Sequence, residues 1–410
     1  MRAFRSRNYR LYFIGQGISL IGTWMQMLAQ GWLVYRLTQS PLLLGLVSFA
    51  SQAPVMILTP LTGVLADRWN RYRMMIAVQV GEMTIALAMA LLYFSGLIQI
   101  WHIVALGMGM GILNAIDAPN RHAFIVQIVH GSEDLPNAIA LNSAMFNSAR
   151  LVGPSLAGLL IAWAGEGVCF LLNGLSFLAI IASLLAMRLP AHPPRPAKER
   201  RILTELVEGF RYTFNSPPHR LIIIHFAWVS LVGMSFMVLM PVLAKEVLHG
   251  GADRLGYLMG GMGTGALVSA FIFAARRKTD DLWQLSGYSS LLFGASLLLL
   301  SLSRTFFSAF MAMGLAGFGM ISQMTTANTY LQMTIADDKR ARVMAFYLLA
   351  FFGTVPLGNL AMGAIAKALG APAAIRLGAV LTLAGSLLYF QRFVRLAKVS
   401  GVVAQKTVDK

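Results

Sequence analysis

The stretch "GVLADRWNRYRM", Gly63 to Met74, gathers Asp67, Arg68, Arg71 and Arg73 in a chain that is otherwise nearly free of charge. Apolar sequence surrounds it. Residues 11–35, 37–66, 221–244, 255–275, 282–303, 305–336 and 343–366 contain no Lys, Arg, Asp or Glu, and a bilayer asks for roughly 20 apolar residues per crossing helix. The island therefore separates two membrane spans.

Composition agrees. Of 410 residues, 57% are hydrophobic and 12% charged, about half the roughly 25% charge of soluble domains, which makes this a membrane protein. The N-terminal Arg2, Arg5, Arg7 and Arg10 lead into a run too long for a signal-peptide core, so the first run reads as a resident helix. Breaks at charge clusters and Gly/Pro turns predict twelve helices near 11–35, 41–66, 74–96, 101–128, 136–164, 167–188, 219–247, 254–276, 282–302, 305–334, 341–367 and 373–393.

With the N-terminus inside, most of the 33 basic residues fall on the cytoplasmic side; outside lie Arg36, Lys245, Arg254, Arg304, Lys367 and Arg376, with Arg150 left in the membrane. This asymmetry satisfies the positive-inside rule and puts both termini in the cytoplasm. The net charge of +17 is thus explained by topology, and no soluble basic domain exists to bind nucleic acid.

The longest polar interruption runs from Arg188 to Arg220. Its first part is proline-rich, and Leu203, Leu206, Val207, Phe210 and Phe214 then fall at helical spacing, which predicts a short amphipathic helix on the inner membrane surface. The expected organisation is an N-terminal six-helix bundle (1–188), a linker (189–218), a C-terminal six-helix bundle (219–398) and a cytoplasmic tail (399–410). The halves look alike: "PLLLGLVSFA" from Pro41 has a counterpart in "ADRLGYLMGG" from Ala252, and Pro154 in Pro356. Two such repeats suit a transporter class built on an axis along the membrane normal.

"GVLADRWNRYR" resembles the loop between the second and third helices of the major facilitator superfamily, with Asn70 where that family usually has Gly; Asn tolerates the left-handed conformation such a turn would need. "ARLVGPSLAGLL" resembles its fifth-helix antiporter motif, at Ala149, Gly153, Pro154, Ala157 and Gly158; plain close packing of small residues is the competing account. "NAIDAPNRHAFIVQIVHGSEDLPNAIALNSAMFNSARLVGP" and "GFRYTFNSP" are similar to the branch containing the enterobactin exporter and bacterial macrolide efflux proteins. The resemblance implies an all-α major facilitator fold in the bacterial inner membrane, working as a monomer. It also implies efflux of an amphipathic small molecule by alternating access, driven by proton entry and with no cofactor. By the same resemblance Gly63, Asp67, Arg68, Arg71 and Arg73 form a gate, in which Asp67 meets Arg121 or the stretch from Arg340 to Met344.

Ionisable groups inside membrane helices are costly and mark function. Asp117, Arg121, Arg150 and Glu82 are the candidates for coupling. Counting back from the turn at 131–134 puts Arg150 near the depth of Asp117, which predicts an Asp117/Arg150 pair, either a static brace or a proton-sensitive latch. The resemblance assigns the cavity to the first, fourth, seventh and tenth helices, whose polar residues include Gln26, Gln30, Asn114, His225, Trp228, Gln323, Asn328 and Gln332.

Other classes are disfavoured. No Walker sequence, H-E-x-x-H motif or Cys/His cluster is present, Cys169 is the only cysteine, and the longest polar segment is too short for a receptor's output domain. Within transport, a lipid or lysolipid flippase is the alternative, and nutrient uptake a weaker one.

Overall fold

The computed structural model describes residues 2–66, 70–129, 134–188, 202–276 and 281–399, and among them every regular element is a helix. The N-terminal elements are α1 (Arg7–Thr38), α2 (Pro41–Ala66), α3 (Arg71–Phe94), α4 (Ile100–Ile128), α5 (Leu135–Ala164) and α6 (Glu166–Leu185). The linker helix α7 (Ile202–Asn215) follows. The seventh span is α8 (Pro217–Trp228), a π-turn (Val229–Gly233), a 3-10 segment (Met234–Leu239), one α-turn α9 (Met240–Val242) and a second π-turn (Leu243–Val247). The rest are α10 (Ala252–Ala275), α11 (Leu282–Leu302), α12 (Phe306–Thr334), α13 (Asp337–Phe352), α14 (Val355–Leu369) and α15 (Ala371–Val399).

Eleven described segments are long and apolar enough to cross a membrane. With α1, whose 32 residues are diluted in hydropathy by Asn8, Gln16, Gln26 and Gln30, they account for the twelve expected helices. Two departures concern continuity. The eleventh helix, expected whole over 341–367, divides at Gly353 and Thr354 because Pro356 enters the first turn of α14, where its missing N–H costs nothing. The seventh is continuous but changes winding along its length.

Helix ends follow local chemistry. Asn70 caps α3 with its side chain accepting from Arg73 N, 3.1 Å, and its backbone is extended (φ −68°, ψ 108°). The left-handed turn expected at Asn70 is therefore replaced by an N-cap, the role for which Asn is suited. Ser6 caps α1 and Thr305 caps α12 in the same way. α1 ends at Gln39, which takes a positive φ of 51° and donates its N–H to Tyr35 O, 2.9 Å.

By contact the chain separates into two units: Met1–Lys198 with Met240–Gly263, and Glu199–Leu239 with Thr264–Lys410. In the first, α1 packs along α6 and α5, α3 along α6 and α4, and α2 along α4. Small residues set the α1–α6 separation. A Cβ on Gly15 would lie 2.5 Å from Ser183 Oγ, and one on Gly22 2.5 Å from Ser176 Oγ. In the second unit α11 packs on α12 and α15, and α14 on the 3-10 segment and α15. There α7 rests on α13, where Arg342 donates to Glu208 at 2.6 Å and Phe210 meets Phe346 edge-on. Val207 and Phe210 stay half exposed, Phe210 while also stacking on Phe214 at 4.3 Å.

Candidate functional site

α3 and α4 place a charged group inside the first unit. Asp117, 1% exposed, accepts from Arg121 one helical turn along α4 and from Gln79 Nε2 of α3 at 3.2 Å. Glu82 is buried three residues beyond Gln79, with Asp117 and Arg121 as its charged neighbours. Tyr12 of α1 completes the group, fully buried and within the electrostatic reach of Asp117 and Arg121.

The sequence pairs Asp117 with Arg150, but the structure gives Asp117 to Arg121. An i, i+4 spacing sets two long side chains on one helix face without any dependence on how α4 and α5 align. The Arg150 guanidinium lies over the Trp24 ring of α1, 5.6 Å from its centroid. Of the expected gating residues, Asp67 and Arg68 lie outside the described residues. Gly63 falls in the last turn of α2, and Arg71 and Arg73 in the first turn of α3. Arg71 O accepts from Asn120 Nδ2 at 3.1 Å, tying the start of α3 to α4 beside the Asp117 group.

The fifth-helix small residues pack as their size demands. Ala149, Gly153, Pro154, Ala157 and Gly158 are all buried. A Cβ on Gly153 would sit 2.5 Å from Trp24 Cβ of α1, and one on Gly158 2.7 Å from Gly256 Cα of α10. The two glycines thus face different partners, so one helix holds two tight crossings.

The residues expected to line a cavity do not share one role. Gln26 is buried between α1, α3 and α6, where its Oε1 accepts from Asn173 Nδ2 at 2.7 Å. His225 is buried against α11 and α15: Nε2 meets Ser290 Oγ at 3.0 Å and the ring stacks on Tyr389 at 4.3 Å. Trp228 donates to Leu381 O of α15 at 2.8 Å. These three bind their own bundle, because a polar group in a membrane helix bundle gains most from a partner helix. Gln30 and Asn114 in the first unit and Asn328 and Gln332 in the second remain partly or fully exposed. Gln323 is buried, and among the described residues neither its amide oxygen nor its nitrogen has a hydrogen-bond partner.

One cluster escaped the sequence. Glu166, 2% exposed at the start of α6, accepts from Arg36 Nε at 2.7 Å, from Arg36 Nη2 at 3.1 Å and from Tyr93 Oη at 2.8 Å. The bidentate fork offsets part of the burial cost, and the carboxylate stands at a helix N-terminus that favours it. The signal was available, since Glu166 is the only acid between Asp134 and Glu199. Near it Tyr35 of α1 donates to Glu246, and Lys245 donates to Gln39 Oε1 at 3.2 Å.

A multi-pass helical protein with buried charge pairs in its bundle, rather than a nucleophile or nucleotide loop, has the make-up of a secondary transporter. The chain belongs to the transmembrane secretion effector family, which matches it over residues 1–408, and so to the major facilitator superfamily. It is 25% identical over 369 residues to the staphyloferrin A transporter of Staphylococcus aureus, covering 88% of this chain and 90% of that one. It is 26% identical over 267 residues to the enterobactin exporter EntS of Shigella boydii, covering 64% and 62%. A bacterial homologue of the human lysosomal transporter Spinster, solved inward-facing and occupied, matches with a TM-score of 0.72 at 15% identity over 94% of this chain and 97% of that one, a likeness of fold.

Proposed function

We propose that this secondary transporter exports an amphipathic small molecule of siderophore or drug-like type across a bacterial inner membrane, with both termini cytoplasmic, and that protons moving inward drive it. The protein acts as a monomer and needs no cofactor or catalytic chemistry. The observation that carries this reading is the buried Asp117–Arg121 pair with its Gln79 contact.

A proton on Asp117 forms its O–H bond at the carboxylate and cancels the charge that holds Arg121. The guanidinium is then left in a low-dielectric bundle without its counter-ion, and a buried pair broken on one side costs about 3 to 5 kcal/mol. That is comparable with what is needed to shift a two-state equilibrium from one extreme to the other, about 5.5 kcal/mol. Protonation is therefore of the size to bias two transport states that differ in keeping this pair.

The test is transport in proteoliposomes with an imposed pH gradient, on wild type and Asp117→Asn, offering a siderophore, a hydrophobic drug and a lysolipid. Gradient-driven flux of the first or second in wild type, lost in the variant, is expected. Flux indifferent to the gradient would refute proton coupling, and lysolipid flux alone would make the protein a flippase.

A further inference from the structure

The Asp117 group and the Glu166 cluster lie at opposite ends of one bundle, and a series of buried polar side chains is set between them among apolar ones such as Leu33, Ala86 and Phe170. Along α1 the series Tyr12, Gln16, Ser19, Gln26 and Arg36 is buried up to its last member, and the 24 steps from Tyr12 to Arg36 rise about 36 Å at 1.5 Å per residue. That is the depth of a hydrocarbon core, roughly 30 Å. Facing it from α6 come Ser176 and Asn173, whose side chains join at 3.3 Å, then Glu166. α3 contributes Gln79, Glu82, Met89 and Tyr93, with Gln26 Nε2 lying 3.8 Å from Met89 Sδ.

These groups are not all helix-to-helix glue. Among the described residues, Tyr12 Oη, Gln16 Oε1, Ser19 Oγ, Gln79 Oε1 and Asn120 Oδ1 are buried polar atoms with no hydrogen-bond partner. All five belong to the first unit, Gln79 and Asn120 on the helices that carry Asp117 and its contact; in the second unit Thr213, His219 and Gln323 hold atoms of the same kind. A membrane bundle offers no lipid partner to such atoms, and each left bare costs about 1 to 3 kcal/mol. Buried water satisfies groups of this kind, typically through about three hydrogen bonds.

We propose that the interior of the first unit holds a narrow hydrated seam that carries protons from the Arg36–Glu166–Tyr93 cluster to Asp117. The proposal rests on the proton-coupled reading above and adds the route. Glu166 is the inlet: its carboxylate takes a proton from a hydronium at the outer end, which leaves as water, and then gives that proton to the first water of the seam, returning to carboxylate. Relay then passes from water to water, each oxygen accepting one proton and releasing one. The net proton arrives at the Asp117 carboxylate and frees Arg121. Amide side chains such as Gln16 and Asn173 hold the waters and carry no charge themselves. The charged and titratable neighbours are Arg36 and Tyr93 at the inlet, and Arg121, Glu82 and Tyr12 at the terminus.

Hydroxyl-radical footprinting by X-ray radiolysis of the purified protein in nanodiscs reads buried water directly, because radicals form where water sits. Tyr12 and Met89, both reactive and both nearly inaccessible from the surface (0% and 1% exposed), serve as reporters, and Met313 of the second unit, equally buried at 0%, as reference. The expected result is modification of Tyr12 and Met89 several-fold faster than Met313, with both rates falling in Ser19→Val, whose thermal midpoint controls for misfolding. Rates equal to that of Met313 in the wild type would overturn the seam whatever drives transport. In proteoliposomes Glu166→Gln is expected to lose gradient-driven flux several-fold more than it loses downhill exchange; equal losses would overturn the inlet. Fast labelling with wild-type flux indifferent to the gradient would sink the proton traffic and the coupling reading, and leave the water in place.

Discussion

Arg36 and Glu166 meet through two hydrogen bonds, 2.7 and 3.1 Å, with Glu166 buried and the Arg36 side chain 48% exposed. The pair is asymmetric: one partner can reach water and the other cannot. Removing Arg36 should therefore harm the fold more than removing Glu166. Arg36→Gln strands a buried carboxylate and is expected to cost about 2 to 4 kcal/mol, below the usual 3 to 5 for a fully buried pair because solvent screens one end. Glu166→Gln should cost about half as much, and thermal midpoints of the two variants in nanodiscs would rank them.

Asp117→Asn and Arg121→Gln should differ in transport. The first removes the charge a proton would remove and strands Arg121, which is 19% exposed and keeps Glu82 as an acidic neighbour, so it is expected to cost less stability than the second and to leave substrate binding intact while uncoupling flux from the gradient. The second leaves Asp117 buried without its partner and is expected to lower both stability and flux. Substrate binding to the purified variants beside gradient-driven flux distinguishes them, and equal behaviour would show that the pair is a brace alone.

Asn70 tests a local rule. As the N-cap of α3 it should tolerate Gly, at a few tenths of a kcal/mol, and not Ala, at about 0.5 to 2 kcal/mol. Thermal midpoints of Asn70→Gly and Asn70→Ala check this. A need for left-handed backbone would also favour Gly over Ala, but the extended φ of −68° predicts that Asn70→Asp and Asn70→Ser behave like wild type.

Gly158 and Gly256 should both resist enlargement. A Cβ on either falls within 2.8 Å of the other's Cα, where backbone cannot give way cheaply. Gly158→Val is expected to insert in the membrane at normal levels yet lose most transport, read by expression and flux together; normal flux would show that this crossing is free to open.

His225 should matter to the second unit's packing and little to substrate recognition. Held by Ser290 and stacked on Tyr389, it is expected to cost about 1 to 3 kcal/mol on replacement by Leu, with KM unchanged. A several-fold rise in KM at unaltered stability would return it to the cavity lining.

The sequence made the fold legible because the bilayer imposes one length and one polarity on every span, and charge clusters such as Arg71 and Arg73 mark the turns between them. It failed where direction within a helix decides the outcome. Gln26, His225 and Trp228 lie on the helices expected to line a cavity, yet their rotation turns them toward α6, α11 and α15, and no residue count along one helix reports the facing of another. The partner of Asp117 was misread for the same reason, since a depth count selects across helices and ignores the nearer Arg121. Glu166 was overlooked because an acid beside a Gly turn looks like loop surface until Arg36 and Tyr93 close over it.

The seventh span changes its winding where Met234–Leu239 runs as a 3-10 segment between two π-turns. A 3-10 helix rises about 2.0 Å per residue against 1.5 Å for an α-helix, so those residues alone make the span about 3 Å longer than uniform winding would. Rewinding them would shorten it by that amount and turn every side chain beyond, exchanging i, i+3 for i, i+4 hydrogen bonds without a hinge residue. The winding of this helix thus stores a fixed amount of length and rotation, as the pitch of a screw thread does.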